Sequence, residues 1–328
     1  MTGRPEPPVP RRVFITGAGG FIGRALMERF SQLGAQVAGV DLVGDPGAGI
    51  VAGSTLDPGG WSEQLAGADL VVHTAALVSN VAPLRQAWRV NVQGTQRVLD
   101  AAVAAGAGRF VFLSSIAVWG DDFPDGVTED VPAVVQGRPY ADTKINGEAV
   151  VLAAHAAGRI DVTVVRPGDV YGPASRPWVV LPLAVIRRRQ LILPDGGRGI
   201  FTPVYVDDLV DGVVLAGCLP AGRGQVFTVT GGDGVECRDY FGRLADMVGG
   251  RVRTLPCAPG VGLIAAAGAL ERALGRDSEL SRATAGMMLR RGTYSIDKAR
   301  RALDYRPLVD LDEGMSRTHA WLASQGLL

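Results

Sequence analysis

Residues 16–23, with the sequence TGAGGFIG, decide the fold. The apolar residues before this stretch predict a buried strand, and those after it predict an amphipathic helix. Gly17, Gly20 and Gly23 give the spacing Gly-x-x-Gly-x-x-Gly. Glycine at these positions permits a tight turn, close approach of a pyrophosphate and close packing of helix on strand. The helix N-terminus adds unpaired N–H groups that favour phosphate. The stretch therefore predicts a strand–turn–helix unit that binds a dinucleotide.

The same alternation of strand and helix continues outward from this unit. Short apolar runs read as strands buried on both faces, and they lie at 13–16, 37–40, 70–73, 110–113 and 162–165. Helical patterns separate them, at 21–33, 84–105 and 140–157. Such alternation implies right-handed βαβ crossovers. The sequence therefore predicts an α/β fold with a Rossmann-type, doubly wound parallel sheet.

Beyond Pro173 the pattern changes, because prolines interrupt the chain and the runs at 204–206 and 226–229 read as isolated strands. This half predicts a smaller, mixed α/β substrate domain. We expect a flexible tail at 1–12, a dinucleotide-binding Rossmann domain at 13–172 and a C-terminal substrate-binding domain at 173–328. Within the last of these, residues 203–232 are expected to pack back on the Rossmann domain.

Composition excludes several other classes. The 328 residues carry 33 Lys and Arg against 33 Asp and Glu, so the basic excess typical of nucleic-acid binding is absent from the sequence. The three cysteines form no C-x-x-C pair, which argues against a zinc site or a disulfide framework and leads us to expect no metal. The N-terminus has no apolar segment behind its charges, which argues against a signal peptide and for a cytoplasmic protein.

The longest apolar stretch, 261–270, is far shorter than the roughly 20 residues that span a bilayer. We expect no spanning segment. Residues 261–274 are interpreted as a core or substrate-covering helix, with contact at a membrane surface as the alternative.

Asp41 refines the dinucleotide prediction. It ends the second predicted strand, 18 residues after Gly23, where a carboxylate can accept hydrogen bonds from the ribose hydroxyls and would repel a 2′-phosphate. Leu42 and Val43 follow it rather than an arginine. The sequence thus favours NAD over NADP, and the competing interpretation is that Asp41 is a strand-end turn residue.

Tyr140 and Lys144 are spaced i, i+4, which places a phenol and an ammonium on one face of a helix. A free tyrosine has a pKa of about 10, and a nearby cation stabilises its phenolate. The spacing also occurs by chance on helix surfaces. Here, however, it follows Ser115 by 25 residues, behind a dinucleotide motif.

With these motifs the chain resembles the extended short-chain dehydrogenase/reductase superfamily, also called the NAD-dependent epimerase/dehydratase superfamily, and is closest in pattern to its 3β-hydroxysteroid dehydrogenase-like branch. The resemblance covers residues 12–322, through segments at 16–23, 73–76, 91–95, 113–120, 140–144, 166–173 and 204–208. It implies that Tyr140 is the general acid/base, that Lys144 binds the nicotinamide ribose and lowers the tyrosine pKa, and that Ser115 hydrogen-bonds the substrate oxygen.

The resemblance also implies the cofactor contacts. These are Gly17, Gly20, Phe21, Ile22, Gly23, Asp41, Asp57, Thr74, Ala75, Ala76, Asn91, Ser114, Tyr140, Lys144 and Pro167. Asp57 matches the adenine-contacting acid only loosely, since Ser54 stands where a second acidic residue is usual. Members of the family often dimerise through the helices predicted at 84–105 and 140–157, so we expect a homodimer.

Departures from the family pattern bear on the substrate. Ile116 follows the catalytic serine where dehydratases carry an acidic residue, Phe201 replaces a usual arginine for the substrate diphosphate, and Asp169 replaces a usual asparagine. A carboxylate near a diphosphate would be unfavourable. These changes predict an apolar or uncharged small molecule. The expected substrate contacts are Ser115, Ile116, Trp119, Tyr140, Trp178 and Phe201.

Three functions stay open at this point. The first is an NAD-dependent dehydrogenase that acts on a secondary alcohol or ketone of a sterol-like substrate. The second is a sugar-nucleotide 4-epimerase that retains NAD, and the third is a regulatory protein that binds NAD without catalysis. A serine hydrolase is excluded, because the sequence has no Gly-x-Ser-x-Gly elbow and its three histidines lie on unrelated elements.

Overall fold

A computed structural model describes residues 7–328. The strands are β1 (Arg12–Thr16), β2 (Gln36–Asp41), β3 (Ile50–Ala52), β4 (Leu70–His73), β5 (Arg109–Leu113), β6 (Asp161–Pro167), β7 (Asp169–Tyr171), β8 (Ile192–Leu193), β9 (Ile200–Phe201), β10 (Pro203–Tyr205), β11 (Gln225–Val229), β12 (Val235–Glu236) and β13 (Arg253–Thr254). The helices are α1 (Phe21–Gln32), α2 (Leu84–Trp88), α3 (Gly94–Ala104), α4 (Pro139–Ala156), α5 (Leu181–Arg187), α6 (Val206–Cys218), α7 (Cys237–Met247), α8 (Cys257–Ala273), α9 (Arg282–Met287), α10 (Asp297–Leu303) and α11 (Leu311–Ser324). Residues 1–6 of the predicted tail lie outside the described residues, and Arg12 already belongs to β1.

The predicted doubly wound parallel sheet is confirmed. Seven strands lie in the order β11-β6-β5-β4-β1-β2-β3, and every pairing is parallel. Side chains alternate between two cores, as the period of two requires. In β1, Val13 and Ile15 pack into the core that includes α1 and α6, while Phe14 packs into the core that includes α3 and α4. The strand order reverses between β1 and β4, which is where such sheets bind ligands.

The C-terminal strands are not isolated, which corrects the prediction for 204–206 and 226–229. β10 pairs with β7, and β11 pairs with β6 as a member of the main sheet. Alternation alone gave no sign of this pairing, because strand partners distant in sequence leave no local pattern.

The helix predicted at 84–105 is interrupted by a π-helical turn at Arg89–Gln93. This wide turn carries Asn91, whose side chain accepts a hydrogen bond from the Leu77 N–H (2.7 Å) and donates to the Leu77 carbonyl (3.0 Å) and the Thr143 hydroxyl (2.9 Å). π-turns are frequent at functional sites. Here the turn fixes the loop that follows β4 against α4.

The apolar segment at 261–274 forms most of α8. Gly260, Ile264 and Gly268 are buried on one face, whereas Leu263 and Leu270 are exposed on the other. Within residues 7–328, no helix has both the length and the apolar character needed to cross a membrane.

Candidate active site

The glycine loop between β1 and α1 has the geometry of a phosphate cradle. Gly17 has φ +73°, and a Cβ there would lie 2.7 Å from the backbone nitrogen of Ala75. A Cβ at Gly23 would lie 2.0 Å from the Gly17 carbonyl oxygen. Gly20 caps α1 without a side chain, and the first turn of this fully described helix holds no acidic residue. The N-terminal N–H groups are therefore available to an anion.

Asp41 lies beside this loop at the end of β2. Its carboxylate accepts hydrogen bonds from the N–H of Gly19 (2.9 Å) and of Leu42 (2.7 Å), so its position is fixed. Leu42 and Val43 are 76% and 80% exposed and supply no cation for a 2′-phosphate. The partly exposed carboxylate and the glycine cradle together fit the adenosine ribose and the pyrophosphate of NAD.

Asp41→Ala is expected to weaken NAD binding by about tenfold or more while leaving NADP binding within about threefold, because a hydrogen bond to a charged group contributes about 1.5–3 kcal/mol. In the native chain the Asp41 carboxylate is expected to disfavour the 2′-phosphate of NADP, so its removal takes no favourable contact away from NADP. Fluorescence titration with NADH and NADPH measures both affinities. An unchanged ratio of the two would contradict the role given to Asp41.

The residues after β4 contact the glycine loop. The Thr74 hydroxyl donates to the Thr16 carbonyl at 2.8 Å. Ala75 and Ala76, the next two residues, are partly exposed. His73, at the end of the strand, is buried between the hydroxyls of Thr16 (2.6 Å) and Thr95 (3.0 Å). Burial, aided by the nearby charge of Lys144, lowers the pKa of His73 to about 3. His73 is therefore neutral, and its two hydrogen bonds connect β4 with Thr16 in β1 and Thr95 in α3 rather than serving proton transfer.

Several predicted cofactor residues have partners within the protein. Asn91, Ser114 and Pro167 are buried, and the amide of Asn91 is occupied by the loop after β4 and by α4. Asp57 is exposed in the loop after β3, at the start of a short 3₁₀ turn. Phe21 and Ile22 begin α1, and their partly buried side chains pack on the core.

The structure brings Ser115, Tyr140 and Lys144 together at the carboxyl end of β5. Ser115 follows this strand, and its hydroxyl accepts a hydrogen bond from the Ala117 N–H (3.1 Å) and lies close enough to the Tyr140 phenol to act on its pKa. The Lys144 ammonium donates to the Leu113 carbonyl at 2.7 Å and lies 5.8 Å from the centre of the Tyr140 ring. A hydroxyl, a phenol and an ammonium thus converge next to the cofactor edge of the sheet.

Electrostatics at this cluster differ from the expectation that Lys144 lowers the tyrosine pKa. Burial raises the pKa of Tyr140 to about 12, against the opposing hydrogen bond from Ser115. Burial also lowers the pKa of Lys144 to about 8, while the carboxylate of Glu148 opposes that shift. The ammonium is directed at the Leu113 carbonyl and not at the phenol oxygen. With its pKa raised in this way, the Tyr140 phenol stays neutral at pH 7.

Two of the expected substrate contacts lie in the protein core. Trp119 is 1% exposed, with its indole N–H donating to the Val131 carbonyl, and Phe201 is 2% exposed and packs on Tyr240 at 4.0 Å between ring centres. Both side chains are buried and have almost no exposed surface for a substrate in this structure, which corrects the prediction that they contact it. Trp178, 4.9 Å from the Phe201 ring, is partly exposed.

Ile116 is also buried, in the same small core as Trp119. Asp169 forms a buried ion pair with Arg290 at 2.7 Å and accepts a hydrogen bond from the Thr202 N–H at 3.1 Å. Asp169 therefore presents no unpaired charge to a diphosphate, which corrects the prediction from its position in the sequence, because Arg290, distant in sequence, neutralises it. The same pair occupies Arg290, which is only 2% exposed.

Sequence reasoning missed Glu148 and Arg166, which lie directly behind the cluster. Arg166 binds the Glu148 carboxylate through two hydrogen bonds, of 2.8 and 2.7 Å, and both residues are 5% exposed. A signal was present: Glu148 follows Lys144 by four residues, as Lys144 follows Tyr140.

Comparison with known proteins places these features in context. The family model described as "NAD dependent epimerase/dehydratase family" matches residues 13–229. The chain is similar to a 4-hydroxy-2-methyl-3-oxo-4-farnesyl-3,4-dihydroquinoline-1-oxide ketoreductase of Stigmatella aurantiaca, with 31% identity over 97% of this chain and 98% of the relative. It is also similar to a 2-alkyl-3-oxoalkanoate reductase of Stenotrophomonas maltophilia, with 28% identity over 94% and 98%.

Among solved structures, a dTDP-glucose 4,6-dehydratase of Streptomyces venezuelae with bound NAD is similar to the chain. The TM-score is 0.75 and the identity 27%, over 95% of this chain and 97% of that one.

Proposed function

The chain belongs to the NAD dependent epimerase/dehydratase family, and from that premise we propose that this enzyme transfers hydride between nicotinamide and the ketone or secondary-alcohol carbon of an apolar substrate. The observation that carries the proposal is the convergence of Ser115, Tyr140 and Lys144 at the carboxyl edge of the sheet, the edge that also carries the glycine loop. Two relatives that act on alkyl or farnesyl ketone compounds support this substrate class.

The residues of this chain would divide the work in the following way. The glycine loop and Asp41 would hold NAD, which when bound supplies or accepts the hydride. During ketone reduction the neutral Tyr140 hydroxyl donates its proton to the substrate oxygen, and Ser115 hydrogen-bonds the same oxygen. Lys144 keeps a positive charge next to the phenolate that forms, which stabilises it. Alcohol oxidation runs these proton steps in reverse.

The state of two residues at positions expected to bind a diphosphate also supports an apolar substrate. Phe201 is buried where sugar-nucleotide enzymes usually carry an arginine, and Arg290 is bound by Asp169 rather than free for a diphosphate. A second candidate, an epimerase or dehydratase of nucleotide sugars, is favoured by the similarity to the dTDP-glucose 4,6-dehydratase.

A substrate comparison separates the two candidates. NADH fluorescence is followed while the enzyme is mixed with sterol ketones, long-chain 3-oxoacyl compounds, or UDP- and dTDP-glucose. We expect NADH consumption with an apolar ketone at a kcat/KM at least about 100-fold above that of either sugar nucleotide, since burying an apolar chain stabilises the complex by about 25 cal/mol per Å². Sugar conversion without net change in NADH would contradict the proposal and support the second candidate.

We propose further that the enzyme is a homodimer that pairs through α3 and α4. A groove of about 500 Å³ lies on this face, lined by Trp88, Val92, Gln96, Asn146, Ala149, Val150, Ala153, Ala154, Ala157 and Arg159. Trp88 in this lining is 37% exposed, and the nearby Leu84 is 49% exposed. Pairing about a two-fold axis would bring this largely apolar face against the same face of a second copy of the chain. Light scattering should report a dimer for the native chain and a monomer for Trp88→Glu; a monomeric native chain would contradict the assignment.

A further inference from the structure

Three residues one turn apart on α4 hold three consecutive residues at the end of β5. The Tyr140 phenol lies next to Ser115, Lys144 donates to the Leu113 carbonyl, and the Glu148 carboxylate accepts from the Ser114 hydroxyl at 2.5 Å. Residues four apart lie on nearly the same helix face. Tyr140 and Lys144 belong to the cluster with Ser115, and Glu148 lies one turn further along α4, behind the cluster.

The groups around Lys144 come from four elements. β5 contributes the Leu113 carbonyl and the Phe112 ring, 5.0 Å from the ammonium. β4 contributes His73, whose pKa of about 3 keeps it uncharged, and α4 contributes the neutral phenol of Tyr140. The charged neighbours are Glu148, also on α4, and Arg166 on β6, which is bound to it.

Glu148 is paired with Arg166 and stands one helical turn from Lys144, whose charged form it favours. Arg166 binds both of its oxygens, and the Arg166 guanidinium also stacks on the Trp119 ring at 4.5 Å, so its position is fixed from two sides. With the carboxylate present, this buried cluster carries a single net positive charge. Without it, the cluster would hold two buried cations, Arg166 and Lys144, and no carboxylate.

We propose that Glu148 is a positioning residue that keeps Lys144 protonated and aligned at the end of β5, and thereby sets the upper pH limit of catalysis. An arginine does not release its proton in proteins, so loss of the carboxylate would be relieved at the lysine. Lys144 would then become neutral and could no longer stabilise the phenolate of Tyr140. The effect on catalysis rests on the proposed function, whereas the effect on the lysine does not.

The composition of the chain makes a direct measurement possible, because Lys144 and Lys298 are its only lysines. Labelling with ¹³Cε-lysine gives two side-chain signals in NMR spectra, and Lys298→Arg assigns them. Lys298 lies in α10 and serves as an internal reference in each pH titration. Thermal unfolding of each variant reports whether it is folded.

Two substitutions should shift the lysine in opposite directions. Glu148→Gln is expected to lower the Lys144 pKa by about one unit or more, and Arg166→Gln is expected to raise it, since a charge at close range shifts a pKa by about one to three units. Glu148→Asp keeps the charge and should stay within about half a unit of the native value. Glu313→Gln, which breaks an exposed pair with Arg317, should change nothing.

A merely structural pair predicts no such reversal of sign. The proposal would be overturned if Glu148→Gln and Arg166→Gln shifted the Lys144 pKa equally. It would also be overturned if only one of these variants folded and its Lys144 pKa were unchanged. Failure of both to fold while Glu148→Asp folds would also overturn it, because the pair would then be a requirement of folding alone.

The pH profile of kcat/KM gives the catalytic readout. For a one-unit shift, Glu148→Gln should lose about tenfold at pH 9 and less than about twofold at pH 6, relative to the native enzyme. A uniform loss at both values would overturn the proposed control of the upper limit. If instead Tyr140→Phe keeps full turnover, the proposed function fails, while the lysine titration still tests Glu148 independently.

Discussion

Tyr140→Phe is expected to lower kcat by about 100-fold or more, because it removes the group that exchanges a proton with the substrate oxygen. The ring and its packing next to Lys144 remain, so the affinity for NADH should change by less than about twofold. Steady-state turnover of a ketone substrate measures the first quantity, and NADH fluorescence titration measures the second.

A second tyrosine provides the matched control for this experiment. Tyr171 lies in β7, where its hydroxyl makes one long contact within residues 7–328, 3.4 Å to the Asp310 carbonyl. Tyr171→Phe should therefore leave kcat within about twofold, since one weak hydrogen bond contributes about 1 kcal/mol or less to stability and nothing to the reaction. Turnover that survives Tyr140→Phe would remove the acid/base role from this residue.

Gly23→Ala is expected to abolish measurable NAD binding and to destabilise the fold by several kcal/mol, on the order of an overpacked core position. The new Cβ would lie 2.0 Å from the Gly17 carbonyl oxygen, 2.8 Å from the Gly17 carbonyl carbon and 2.9 Å from the Ala18 Cα. These are backbone atoms, so the phosphate loop itself must move away from α1. Thermal unfolding and NADH titration measure the two effects.

Gly242→Ala is the control, because Gly242 lies within α7 and a Cβ there meets no atom of the described part of the chain within 4 Å. Alanine favours the helix over glycine by about 1 kcal/mol, so this variant should be equally or more stable and should bind NADH normally. Normal NADH affinity in Gly23→Ala would contradict the placement of the pyrophosphate at this loop.

The sequence was most informative where burial and local spacing act over a few residues. The run at 70–73 is β4 itself, since a strand buried on both faces must be apolar throughout. The glycine spacing and the Tyr140–Lys144 pair likewise follow from local geometry. β3 was missed because a three-residue edge strand is too short to show a period.

What the sequence could not predict depends on partners far along the chain. Arg290 neutralises Asp169 across 121 residues, and no local pattern indicates that contact. Burial of Phe201 depends on Tyr240, and burial of Trp119 depends on Tyr294 and Arg166. The positions of the motifs indicated which edge of the sheet these aromatic residues occupy, but not whether their side chains are exposed there.

The place of β11 in the sheet has a consequence for biosynthesis. During translation β6 leaves the ribosome long before β11. Until β11 arrives, the outer edge of β6 has backbone N–H and C=O groups without strand partners. Such an edge can pair with other nascent chains. A chain that stops at Gly172 would keep that edge permanently, so we expect the nucleotide-binding half to aggregate when it is expressed alone.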